Sequence, residues 1–191
     1  MDFRRSGMKT IKIHPSLHEV FGKETTAAEL LMIFTVSAGT TLVLFISTRP
    51  EWSALPIWKS ALCFLLIFDI MAGFIANLTS STNNFYRDQA KSRLVFIALH
   101  IQPVIFSFLL GEYLLICFAV WVYTIISALA VNGLQKYPAQ KPLAGSLAAI
   151  GLVALMLSSA GLPILLLVSL AFYQLKVIYS FAVDQYSSGE V

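Results

Sequence analysis

Three ionisable side chains lie inside apolar stretches of this chain: Asp69, His100 and Lys176. Gln174 stands two residues before the lysine, and Asn77 eight residues after the aspartate. A carboxylate, an imidazole and an amine held together in a membrane could exchange a proton, hold an ion or grip a polar ligand. Each is costly in lipid unless it faces a partner or a watery cavity. The same residues also have architectural uses. Lys176 can snorkel its amine toward the membrane surface. Asp69 can pair with it to fix helix register. His100 can bond the Leu99 carbonyl that Pro103, lacking an N–H, leaves free.

Between Asp69 and His100 runs a polar, basic connector, 79–93. It continues the short polar side chains of residues 77–84. Such side chains cap helix ends and build turns by bonding nearby backbone. The functional alternative is a vestibule at the cytoplasmic mouth, with Asn83, Arg87 and Arg93 placed to meet an anionic group.

No catalytic residue can be named. The chain has no Gly-x-Ser-x-Gly, no His-Glu-x-x-His and no glycine-rich phosphate loop. His14 and His18 have i, i+4 spacing but no third metal ligand nearby, so a metal site is not expected. Cys63 and Cys117 lie in apolar segments without a Cys-x-x-Cys and read as small apolar residues. The cofactor is unknown from the sequence. No basic face exists apart from the apolar segments, so nucleic acid is not an expected partner.

The elements that must position these groups are membrane spans. The 191 residues are 58% hydrophobic and 12% charged, against roughly half and a quarter in soluble domains. A span needs ~20 helical residues. The first runs over 27–48, opened by a Thr26–Glu29 capping box and closed by Arg49-Pro50. The second runs over 57–78, where Ala72, Gly73 and Ala76 allow another helix to approach. The next forty residues break at Gly111-Glu112-Tyr113 into spans 94–110 and 113–132. The stretch 143–183 breaks at Ala160-Gly161-Leu162-Pro163, and the sixth span is 163–183. The fifth is rich in small residues, with Gly145 and Ala149 as a packing pair.

The fold class is therefore all-α: a polytopic bundle of six transmembrane helices. It is preceded by a basic tail, 1–26, carrying Arg4 and Arg5 and a short interfacial helix near Leu17, Val20 and Phe21. A second tail, 184–191, ends the chain. Ten of the thirteen Lys and Arg fall in the first tail and in connectors 79–93 and 133–142. Positive loops stay in the cytoplasm, which puts both termini on the cytoplasmic side of the cell membrane.

Counted from the span ends, Asp69, His100 and Lys176 lie roughly 9–14 Å below the cytoplasmic boundary, at 1.5 Å per residue. A shared depth suggests one polar site and a small transport-type protein. In size and span number the chain is similar to substrate-binding subunits of energy-coupling-factor transporters, although none of their ligand motifs can be matched here. A transport site predicts a cavity joining Asp69 to His100. One alternative is a membrane enzyme acting on a lipid or prenyl substrate at the inner leaflet, which predicts a cavity opening sideways beside Asn83 and Arg87. The other is a structural or assembly partner, docking a membrane protein or a second copy through helix 144–154.

Overall fold

The computed structural model describes residues 9–87 and 89–186. Arg4, Arg5, Asp88 and the last five residues of the predicted C-terminal tail lie outside them. Among the described residues, six helical segments are long and apolar enough to cross a bilayer: Ala27–Ser47, Ile57–Asn77, Lys91–Leu110, Leu114–Gly133, Gln140–Leu157 and Ile164–Phe181. The chain is a multi-pass membrane protein.

The N-terminal segment folds back on the bundle. Strand β1 (Thr10–Lys12) pairs antiparallel with β2 (Glu24–Thr26), enclosing a one-turn helix, α1 (His18–Phe21). Gly22 ends α1 at φ 71°, and a side chain there would overlap Ser81. Only glycine meets both demands. Thr82 donates its hydroxyl to the Val20 carbonyl at 2.9 Å, and Ser81 bonds the Glu24 carbonyl. His14 and His18 serve this turn locally: His14 Nδ1 meets the Ser16 hydroxyl and His18 Nε2 the Ile13 carbonyl. Glu29 then accepts from the Thr26 N–H at 2.8 Å and donates its own N–H to the threonine hydroxyl at 3.2 Å, opening α2 (Ala27–Ser47).

After a single turn, α3 (Arg49–Trp52), comes α4 (Ile57–Asn77). The connector read as turns is instead helical over Ser80–Arg87 (α5), with Ser80, Ser81, Thr82, Asn83 and Tyr86 buried. The third span is broken. Helix α6 (Ala90–Leu99) stops, and α7 (Gln102–Leu110) starts afresh with Pro103 in its first turn. His100, at φ −79° and ψ 71°, is the centre of an inverse γ-turn, closed by the Ile101 N–H on the Leu99 carbonyl at 2.9 Å. Helices α8 (Leu114–Gly133), α9 (Gln140–Leu157) and α10 (Ile164–Gln174) complete the bundle, and α10 widens into a π-helical turn over Leu175–Phe181.

That sixth span is the axis of the bundle. It packs on α4, α7, α8 and α9, whereas α2 lies outermost against α4. Glu51 holds its N-terminal end by accepting the free N–H groups of Ile164 and Leu165 at 2.9 and 2.8 Å. Cys63 and Cys117 are free thiols in the core.

The small residues of α9 split differently from the sequence reading. Ala144, Ala148 and Gly151 form the buried stripe, while Ala149 is exposed and a side chain added at Gly145 would meet nothing within 4 Å. The helix's rotation, which spacing alone does not specify, puts the neighbouring i, i+4 pair inside. Gly151→Leu is expected to lower stability by ~1–3 kcal/mol through overpacking against Tyr123 and Gln174. Ala149→Leu should stay within about 0.5 kcal/mol. Thermal melting in detergent checks both, and equal losses would reject this assignment of faces.

Candidate intramembrane polar site

Asp69 lies on the open side of α4, with its side chain 55% exposed, whereas Lys176 is 3% exposed at the start of the π-helical turn. The lysine reaches outward past Gly73, where any side chain would collide with its Cε and Nζ. Gly73 thus admits a side chain, not a close helix backbone. Lys176 Nζ donates to Asp69 Oδ2 at 2.8 Å, and Gln102 Nε2 donates to the same oxygen at 3.2 Å. Both bonds fall on Oδ2, which leaves Oδ1 to accept from something else.

The γ-turn positions His100 over this pair. Its Nδ1 donates to the Phe96 carbonyl, not to that of Leu99, because the chain leaves the helix at His100 and Phe96 loses its own backbone donor. Tyr173 on α10 donates to the His100 carbonyl at 2.7 Å and holds the turn from the other side. In the neutral ring Nε2 is then an acceptor.

These residues line a cleft of about 170 Å³, bounded by Asp69, Gly73, Asn77, His100, Gln102 and Lys176 and by Glu19 and Val20 of the N-terminal segment. Asn77 is only 4% exposed, and its Nδ2 has no partner; the buried Gln102 Oε1 has none either. A second cleft of about 370 Å³ shares Glu19, Phe96 and His100 and runs along α6 past Lys91, Ser92, Val95 and Leu99. Tyr86 also borders it, and burial pushes its phenol above the ordinary value. A further groove of about 590 Å³ lies between α2 and α4, walled by residues such as Leu42, Phe45, Phe64 and Phe68, and shares no lining residue with the Asp69 cleft.

Other residues singled out from the sequence lie elsewhere. Gln174 points toward Gly151 and Tyr123, away from Asp69. Asn83 and Arg93 do not line an open mouth: Asn83 Nδ2 donates to the Val183 carbonyl at 3.0 Å. Arg93 is fully buried and donates to Asn132 Oδ1 and to the carbonyls of Phe181 and Ala182, at 2.8, 3.3 and 2.9 Å. Gln140 reaches the Ala182 carbonyl too, and Arg87 pairs with Asp184 at 3.2 Å. Together they form a clasp over the last carbonyls of the sixth span, which have no partner within their own helix.

Gln102 and Glu19 join the site without having been singled out. Gln102 shares the depth of the other groups, and that was its available signal. Glu19 gave none, because its place depends on how α1 docks. No family model matches this chain, and neither a curated protein nor a solved structure does.

Proposed function

We propose that the chain is a small transport-type bundle of the cell membrane that takes its cargo at the Asp69 cleft. One observation carries the reading: the cleft joins Asp69 to His100 and includes Lys176 and Asn77 among its walls. A half-exposed carboxylate within a span needs polar company, and the buried donor on Asn77 and acceptor on Gln102 lack partners. The cleft does not include Asn83 or Arg87, as the inner-leaflet enzyme reading requires.

The test uses proteoliposomes of the full chain, incubated with a whole-cell small-molecule extract and re-isolated for mass spectrometry. At least one compound should be retained in more than stoichiometric amount over protein-free liposomes. Gln102→Leu should reduce that retention roughly tenfold, as expected for losing one hydrogen bond to a charged group. Retention equal to empty liposomes rejects the transport reading.

Both termini are placed in the cytoplasm on the strength of the basic connectors. Ser80 and Gln140 are buried, so single cysteines at the exposed neighbours Asn84 and Ala139 and at Ser53, in a background lacking Cys63 and Cys117, test this. Only the one at Ser53 should react with an impermeant external reagent. The reverse pattern overturns the orientation.

A further inference from the structure

We infer that the ligand of the Asp69 cleft is an amphiphile with a single N–H-bearing ammonium head and an apolar tail; this rests on the cleft being the binding site proposed above. Asp69 is eight residues from the inner end of α4, roughly 12 Å into the span at 1.5 Å per residue. At that depth a carboxylate exposed over 55% of its side chain cannot face acyl tails. Yet the adjoining cleft, which shares three of its residues, is walled by Val95 and Leu99, and these are 56% and 71% exposed on a membrane span. The occupant is polar where it meets Asp69 and apolar where it meets Val95 and Leu99, below Lys91 and Ser92 in the adjoining cleft.

Charge and hydrogen-bonding capacity specify the head. The ionisable groups bordering the inner cleft are Glu19, Asp69, Lys176 and His100. With the imidazole neutral they sum to one negative charge, which one cation balances. Acceptors also predominate: Asp69 Oδ1, the Glu19 carboxylate and His100 Nε2, against the one partnerless donor, the buried Asn77 Nδ2. An ammonium with N–H groups satisfies them, whereas a quaternary ammonium does not. The tail then lies along Val95 and Leu99.

Native mass spectrometry of the full chain in a non-ionic detergent, titrated with four probes, tests this. Dodecylammonium should bind about tenfold more tightly than dodecyltrimethylammonium, which has no N–H. It should also bind at least about tenfold more tightly than propylammonium, which has almost no tail. Laurate should not compete. Glu19→Gln should weaken both amines, and Val95→Trp should weaken dodecylammonium alone; both substitutions fall on exposed positions, so the fold survives them. Equal affinity for the two dodecyl cations overturns the hydrogen-bonded head. Propylammonium binding as tightly as dodecylammonium overturns the tail but leaves the polar site standing. Binding by none of the probes, together with no retained compound in the liposome screen, removes both readings.

Discussion

Arg93→Met should leave little folded protein. The guanidinium is buried, lies 5.5 Å from the Phe181 ring, and supplies three hydrogen bonds near the C-terminal end of the sixth span. Removing it orphans Asn132 Oδ1 and the Phe181 carbonyl, while Ala182 keeps its bond from Gln140. A buried unsatisfied group costs ~1–3 kcal/mol, so the loss is on the order of 3–5 kcal/mol. Arg93→Lys should recover only part, because an ammonium lacks the planar fork that reaches several acceptors at once. Arg87→Met should cost less, on the order of 1–3 kcal/mol, because it takes the ion pair from the buried Asp184 carboxylate but leaves it the bond from the Tyr186 N–H. Melting temperature and the monodisperse fraction in detergent give the order. If Arg93→Met melts like the unmodified chain, the clasp does not hold the sixth span.

The clasp also explains what hydropathy could and could not supply. Apolar runs locate the six spans well, because lipid demands them regardless of tertiary detail. The helix ends at the basic connectors are less legible: helix α9 begins at Gln140, in what reads as a polar connector, since that glutamine is buried and bonds the Val131 carbonyl. Helix α5 was hidden for the same reason. Ser80 to Asn83 look like turn residues, and only their partners in α1 and beyond Phe181 make them a buried helix. For the site, depth could be counted along the chain, and Asp69 and Lys176 do meet. Azimuth could not. Two departures from regular helix disrupt any periodic count: the γ-turn at His100 and the π-helical turn from Leu175. One extra residue per turn rotates the rest of the helix by ~100°. Gln174 and Lys176 need no such departure: two residues apart on a helix, they point ~200° apart, so Gln174 faces Gly151 while Lys176 faces Gly73.

The two halves of the ion pair should respond unequally to substitution. Lys176 is enclosed, and Asp69 is its anionic partner among the described residues. Asp69→Asn strands a buried ammonium, and breaking such a pair costs ~3–5 kcal/mol. Lys176→Met strands a carboxylate that is half exposed to the cleft and still bonded by Gln102. Water or a ligand head can solvate it, so the cost should be nearer ~1 kcal/mol, the range of exposed pairs. Once methionine replaces the lysine, adding Asp69→Asn removes the leftover charge. The double variant should then be about as stable as Lys176→Met alone, and more stable than Asp69→Asn. Gly73→Ala offers an independent check, since it blocks the lysine's path while keeping both charges. It should destabilise the unmodified chain and do much less in the Lys176→Met background. A double-mutant cycle on melting in detergent measures the coupling. Strict additivity of the Asp69 and Lys176 changes would mean that the 2.8 Å contact contributes nothing to stability, and the polar site would lose the strut that holds its carboxylate in place.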